Sequence, residues 1–509
     1  MVRTAIKCWS AALDRLLALL TGERRERGVL WVLAAYWAVW SAYGIVAKSS
    51  QDIHFDMGEA VVWAHESLAG TPKHPPLSGW LTYGWFSVFP QTDWAYYSFS
   101  VLLATVALFA AWKVSGRFLS GEKRAAGLAL LMLVPFFNFH ALKYNANAVM
   151  IPLWALATWA FVVSFESRKS FPAALAGFAA AAAMLGKYWS IFLLLGLGIA
   201  ALMHPARRAY FRSAAPWITI AAGALAMAPH FWWLANNSET FSYALESHPG
   251  TVWTALCSGG SYIVGSLGYL AAAIVVAWLA TRPSRAAFAD VVWPNQPDRR
   301  MAVIIFAVPV VLPLFAAVAT KEDITPLWSI GGATLVPVIL LSSPLVTLSH
   351  VMARRMLGTA IAFCIIALAA SPVVAFVAHR NSLDNYAGHY RLAAKAAEQG
   401  WRSVTDRPLK IFGSYDNVLN GASFYVSPPP RTFEIVTPAR TPWTTEADVA
   451  RDGIAMVCPV RDTGCMNALN ARAAKAANAK RSEVELARTW LGIRGKTERF
   501  AIVAIPPAL

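Results

Sequence analysis

Residues 52–80 read DIHFDMGEAVVWAHESLAGTPKHPPLSGW and follow directly on the first strongly apolar run of the chain. The stretch gathers Asp52, Asp56, Glu59 and Glu66 beside His54, His65, Lys73 and His74, then stiffens at Pro75-Pro76. Elsewhere the chain is poor in charge. Of its 509 residues 57% are hydrophobic and only 14% charged, against about 25% charged in ordinary soluble proteins. A loop this rich in titratable groups is either a solvated connector between apolar segments or the place where chemistry occurs.

Working outward, apolar runs of about 20 residues recur over three quarters of the length, the mark of a polytopic α-helical membrane protein. Spans are expected at 28–47, 95–113, 125–142, 147–165, 172–186, 188–203, 215–234, 259–280, 302–320, 327–349 and 357–378. The pair 172–186 and 188–203 is short for two crossings. Counting both, eleven transmembrane helices place the two ends on opposite sides, with a long first extracytoplasmic loop, 48–94.

Charge sets the orientation, because cytoplasmic loops keep an excess of Lys and Arg. With the N-terminus inside, the cytoplasmic segments carry 21 basic residues. The opposite loops hold only Lys48, Lys73, Lys143, Lys187 and Lys321. The net charge of +16 is therefore mainly a topology signal, and nucleic-acid binding is excluded as its explanation. Residues 1–27 place Trp9, Leu13, Leu16, Leu17 and Leu20 at helical spacing between basic flanks, as an amphipathic helix on the cytoplasmic face does. Asp14 and Arg15 interrupt its apolar stretch and no small-residue cleavage site follows, which argues against a cleaved signal peptide.

The helical body is expected over 28–378, and 379–509 has the composition of a soluble domain. YRLAAKAAEQGW reads as a helix, LKIFGSY and RFAIVAI as strands, and SPPP as turn material, giving a small extracytoplasmic α/β domain. Cys8, Cys257 and Cys364 are scattered and read as small buried or interfacial residues. Cys458 and Cys465 stand together in CPVRDTGC. In an oxidising periplasm they would close a short disulfide loop; a metal pair is the alternative, though only two ligands are visible.

The lysines outside the cytoplasm are informative because the charge rule disfavours them there. Lys73 stands in TPKHPPLSGW, Lys143 in FHALKYNANAV, Lys187 in MLGKYWS and Lys321 in ATKEDITPLW. All four fall at one membrane surface, where they could converge on an anionic headgroup. Lys48 and Lys321 are most simply interfacial snorkelling residues. Lys187, flanked by AAAAAML and WSIFLLL, is less natural as a solvated group, and a charge near membrane depth is a functional candidate by default. Asp56 and Glu59 stand three apart and share one face if their segment is helical. Facing a polar cavity, such a carboxylate can take a proton from a hydroxyl nucleophile; facing water, it is a solvated surface group. His54, His65 and His74 have no spacing diagnostic of metal ligation with Asp56.

DMGEAVVWAHESLAGTPKHPPLSGWL resembles the first extracytoplasmic loop of bacterial family-39-like glycosyltransferases of the GT-C fold, the group that includes protein O-mannosyltransferases and the lipid A aminoarabinose transferase. The shared features are an acidic residue after the first span (Asp56), a WA pair (Trp63-Ala64) and a HPP turn (His74-Pro75-Pro76). GKYWS followed by LLGLG resembles a later Lys-Tyr hairpin of the family, and NGASFYVSPPP resembles tail segments of its lipid A-modifying branch. The resemblance implies transfer of a sugar from a polyprenyl-phosphate donor to a glycolipid, glycan or protein acceptor on the periplasmic side of a bacterial inner membrane. It makes Asp56, with Glu59, catalytic, Asp56 being the general base of an inverting displacement. His74, Lys143 and Lys187 bind the donor phosphate, and Lys73, Tyr144, Asn147 and Tyr188 bind substrate. No cofactor is required, and a divalent metal stays open. Two departures stand out. KYNANAV offers Asn145 and Asn147 where many relatives have an acidic residue, which weakens a metal-dependent version. Lys73 stands where some lipid A-modifying relatives have Glu.

A transporter or flippase for a lipid-linked anion is the alternative, and would show inverted repeats with interrupted helices at the midplane. A structural or sensing membrane protein whose tail binds a partner would leave the charged loop unexplained.

Overall fold

The computed structural model describes residues 2–66, 69–237, 239–246, 248–381 and 386–507. Among the described residues seven helices are long and apolar enough to cross a bilayer: Arg25–Ala47, Asp93–Ser115, Ala146–Ser167, Ala215–Leu234, Val252–Thr281, Pro297–Thr320 and His350–Arg380. The expected span 125–142 is broken instead. Gly121–Met132 and Pro135–Leu142 meet at 76°. Pro135 is the cause: Val134 before it is extended, at φ −79° and ψ 125°, as a residue preceding proline tends to be. Ser170–Gly186, Tyr188–Met203 and Pro326–Leu341 are apolar but shorter. At 1.5 Å per residue the first two reach about 25 Å, short of the ~30 Å hydrocarbon layer, while Pro326–Leu341 opens with the 3-10 helix Pro326–Leu335. All eleven expected spans therefore fall on apolar helical segments. Seven of these, or eight counting the bent pair, meet the length and composition needed to cross, and the expected count of eleven is not confirmed. The chain is a multi-pass membrane protein.

The chain forms two compact units, Met1–Ser41 with Ser98–Leu368, and Ala42–Tyr97 with Ala369–Leu509. The first long loop thus groups with the C-terminal residues, not with the helical body in which the sequence reading placed it.

In the first unit the amphipathic helix Val2–Thr21 buries Leu13, Leu17 and Leu20. Its Asp14, the break in the apolar stripe, pairs with Arg354 at 2.9 Å and His350 at 3.2 Å.

The second unit is built on a five-stranded sheet of order β2-β1-β3-β5-β4. Its strands are β1 (Ile411–Ser414), β2 (Arg431–Glu434), β3 (Ile454–Pro459), β4 (Lys480–Trp490) and β5 (Ile493–Ile505). β1 runs parallel to β2 and β3, while β5 is antiparallel to β3 and β4. The period of two divides the strand residues between two cores. Phe412, Ala455, Val457, Phe500 and Ile502 join Tyr390, Ala397 and Trp401 of the helix Tyr390–Arg402. Ile411, Phe433, Ile454, Met456 and Val503 join Leu469, Cys458 and Cys465 on the other face. Cys458 and Cys465 form a disulfide within that second core.

Two devices fasten the loop helix Phe55–Glu66 to this domain. Gly58 faces the helix Asp416–Ser423 so closely that a Cβ would lie 2.0 Å from the carbonyl oxygen of Asn420, so only glycine permits the approach. Ahead of the helix, the Asp52 carboxylate is fully buried. It accepts from the Arg488 guanidinium at 2.6 Å and the Arg391 backbone N–H at 3.0 Å. The Ile53 N–H donates to the Tyr425 hydroxyl at 2.9 Å.

Candidate active-site residues

Asp56 and Glu59 both lie on the helix Phe55–Glu66, as their spacing predicts, but in different surroundings. Asp56 stands in the first turn, where the helix dipole favours negative charge. Its backbone N–H donates to His54 Nδ1 at 3.1 Å, and its carboxylate lies 3.6 Å from the same nitrogen. While Nδ1 accepts that hydrogen bond it is not the protonated nitrogen, so the carboxylate contact is not an ion pair in that tautomer. Glu59, one turn on, is buried. Loss of water pushes its carboxyl up to about 7, against the lowering effect of Lys73, while the carboxylates of Asp416 and Asp56 raise it further. Two carboxyls one turn apart thus have different neighbours, His54 beside Asp56 and Lys73 on Glu59.

The TPKHPP turn presents Lys73 and His74. Thr71 organises it: its hydroxyl donates to the His74 carbonyl at 2.9 Å and accepts the backbone N–H of His74 at 2.9 Å and of Lys73 at 3.2 Å. Lys73 Nζ donates to Glu59 Oε1 at 2.8 Å. The residue assigned to substrate thus holds the buried carboxylate of its own loop. The His74 ring packs edge-on against Trp63, with centroids 5.7 Å apart. The other acidic residues of the loop pair with arginines of the C-terminal segment: Asp52 with Arg391 and Arg488, Asp93 with Arg391 at 2.7 Å, and Glu66 with Arg431 at 3.6 Å.

In the helical body, Lys187 ends the helix Ser170–Gly186 in an extended conformation. Its ammonium donates to Asn147 Oδ1 at 2.6 Å and lies 4.6 Å from the centre of the Trp328 ring. Asn147 is in the first turn of Ala146–Ser167, and Asn145 caps that helix by accepting the backbone N–H of Asn147 and Ala148 at 3.0 and 3.1 Å. An ammonium beside a helix N-terminus favours an anion. The Tyr188 hydroxyl lies 2.7 Å from His230 Nε2, and the His230 ring stacks on Trp233 at 10°. Lys143 is half-buried, directly after a short 3-10 turn. Tyr144 is fully buried against Phe99, centroids 5.1 Å apart, so its ring belongs to the core and not to an open surface.

Asp56, Glu59, Lys73 and His74 therefore lie together in one unit, and Lys143, Tyr144, Asn147, Lys187 and Tyr188 in the other. Among the described residues no group of three or more His, Cys, Asp or Glu is arranged to hold a metal ion. Sequence reasoning missed Arg391, Arg488 and Asp416 in the first set and Trp328 and His230 in the second. Asp52 and its arginine partners are separated by 339 and 436 residues, so no local pattern carries the signal.

A family model described as Dolichyl-phosphate-mannose-protein mannosyltransferase matches residues 73–233, which include Lys73, His74, Lys143, Asn147 and Lys187. No curated protein matches the sequence. Among solved structures the chain is similar to ArnT from Cupriavidus metallidurans in the apo state, with 14% identity, 94% of this chain and 97% of that one covered, and a TM-score of 0.59. The same protein bound to undecaprenyl phosphate matches with 15% identity, 94% and 98% coverage and a TM-score of 0.59. Near-complete coverage in both directions, at a TM-score of 0.59, establishes that this chain has the GT-C, PMT-like fold.

Proposed function

We propose that the chain is an integral membrane glycosyltransferase that moves a sugar from a polyprenyl-phosphate donor to an envelope acceptor. The observation that carries this reading is the contact of Lys187 with Asn147 at the N-terminus of Ala146–Ser167, an ammonium beside a helix N-terminus, which favours an anion, within the segment that matches the mannosyltransferase family model. The likeness to a protein crystallised with undecaprenyl phosphate supports the donor class.

In this reading Asp56 takes the proton of an acceptor hydroxyl. The acceptor oxygen then forms a bond to the anomeric carbon, on the face opposite the bond that breaks. Polyprenyl phosphate leaves with the electron pair of the old anomeric C–O bond, and the configuration inverts. His74, Lys143 and Lys187 offset the charge developing on the phosphate, the role that usually contributes most to such a step. Glu59, poised near neutrality and bound by Lys73, tunes the same helix. The protein would sit in a bacterial inner membrane with its N-terminus in the cytoplasm and its sheet domain in the periplasm. The acceptor would be a lipid A-like glycolipid, another glycan or a protein.

Mass spectrometry of lipids co-purified with the full chain tests the donor, and transfer from that donor tests the base. Polyprenyl phosphate or its glycosylated form should accompany the wild type. Asp56→Asn should retain it while transfer falls by about 10²- to 10⁴-fold, the usual contribution of a general base. Recovery of bulk phospholipid alone would sink the donor assignment, and undiminished transfer by Asp56→Asn would remove it as the base.

A further inference from the structure

The end of the β4–β5 hairpin does not look like a turn built for water. Trp490 pairs with Ile493, leaving Leu491 and Gly492 as a two-residue turn with φ of 48° and 79°. Such a turn calls for Asn-Gly or Asp-Gly, because both central residues have positive φ. Leucine is sterically disfavoured in this region, and here its side chain is 81% exposed. Neither backbone geometry nor aqueous solvation accounts for a leucine at this position.

Its surroundings fix its height. Trp490 Nε1 donates to Ser49 Oγ at 3.1 Å, and Arg488 donates to the Ser49 carbonyl at 3.2 Å. Ser49 lies two residues past the end of the apolar helix Arg25–Ala47. From the other side, His379 Nε2 lies 2.9 Å from the Ile493 carbonyl, and the His379 ring packs against Trp490 with centroids 5.8 Å apart. His379 is the penultimate residue of the apolar helix His350–Arg380, whose Val373, Val374, Phe376 and Val377 are all substantially exposed. At 1.5 Å per residue, Val377 and His379 are separated by about 3 Å along the helix axis. The headgroup layer on each side of a bilayer is about 5 to 8 Å thick, taking ~30 Å of hydrocarbon within ~40–45 Å overall. A turn pinned to His379 and Ser49 thus lies within that layer. Residues 486–497 carry Arg488, Arg494 and Lys496 and no acidic residue, a charge suited to anionic headgroups. Trp490 beside them is of the type enriched at such interfaces.

We propose that the Trp490-Leu491-Gly492 turn is a membrane foot: Leu491 enters the bilayer interface, with Arg494 and Lys496 directed at anionic phospholipid. The bilayer would then help to hold the sheet domain, and through the Arg488–Asp52 pair the segment that leads into the Phe55–Glu66 helix. The inference is independent of the transferase reading and needs only a bilayer around the apolar helices.

The test uses the full chain in nanodiscs of phosphatidylethanolamine and phosphatidylglycerol. A photoreactive p-benzoylphenylalanine replaces Leu491, with Val373 on the apolar helix and Glu485 higher on β4 as references, all three exposed sites that leave the core untouched. After irradiation, phospholipid mass adducts are expected at 491 and 373 and not at 485. Adducts at 373 alone would overturn the proposal. Adducts at neither 491 nor 373 would also overturn it, by removing the lipid level from which the height of the turn is reckoned. Equal adducts at 485 would show that labelling of the hairpin does not depend on depth, with the same consequence.

Discussion

The two sets of candidate residues, one in each unit, handle charge differently. In the loop and sheet unit, carboxylates meet cations directly: Asp52 with Arg488 and Arg391, Asp93 with Arg391, Glu66 with Arg431, Glu59 with Lys73. In the helical body, Lys187 is held by an amide oxygen and the face of an indole. An ion pair gives its attraction to its partner and fixes geometry. An amide oxygen and a π-face orient an ammonium without themselves carrying a negative charge. The first arrangement suits a scaffold that must hold one helix in register; the second suits a binding site.

The sharpest way to break this contrast is Asp52→Ala. It leaves Arg488, itself largely buried, without its carboxylate, and removes the acceptor of the Arg391 backbone N–H. Breaking a buried pair from one side costs about 3 kcal/mol or more. Thermal unfolding of the sheet domain, followed by limited proteolysis after the loop helix, should show that loss, while binding of undecaprenyl phosphate measured by native mass spectrometry should persist. Unchanged unfolding would mean that the ion pairs do not hold the loop.

A smaller effect follows from Glu59. Its carboxyl is raised from the ordinary 4.5 to about 7, so the folded protein binds this proton more tightly than the unfolded chain does. The stabilising contribution is fully present below pH 4.5 and is lost as pH rises through 7, by about 3 kcal/mol for a shift of this direction and size. Glu66 and Glu434, also raised to about 7, act in the same sense. Glu59→Gln should therefore flatten part of the fall in melting temperature between pH 4.5 and 7. An identical pH profile in the variant would show that Glu59 stays ionised in the folded state.

The smallest expected change is Lys187→Ala. Losing one charge-assisted contact costs about 1.5 kcal/mol, or roughly tenfold in affinity for undecaprenyl phosphate. Native mass spectrometry or a fluorescence titration reads it, and the melting of the sheet domain should not move. Equal affinity in both proteins would take Lys187 out of the phosphate site.

Hydropathy alone placed eleven apolar segments, each on helical structure, and already showed 172–186 and 188–203 as two short segments meeting at Lys187. The bend that Pro135 puts into 125–142 is a feature that a sliding window averages away. In the loop, the sequence put Asp56 and Glu59 on one face only on condition that their segment is helical, and the structure supplies that helix, Phe55–Glu66. That Glu59 would be buried and Lys73 turned upon it was not legible, since both depend on how the Thr71 turn folds back. Tyr144 shows the same limit: a tyrosine beside a candidate lysine looks available in sequence and is core in space.

The amino-acid sequence by itself determined the class of the protein, a multi-pass helical body with a small α/β domain, and the neighbourhood in which chemistry is expected. Those properties follow from composition and from periods of two and 3.6 residues, which act over short distances along the chain. Only the tertiary structure decided that the first loop is part of the sheet domain's unit, that Gly58 is required by the Asn420 backbone, and that Asp52 is the anchor. Each rests on partners more than 300 residues away, and contacts of that separation are set by the packing of the whole chain, where no local pattern records them.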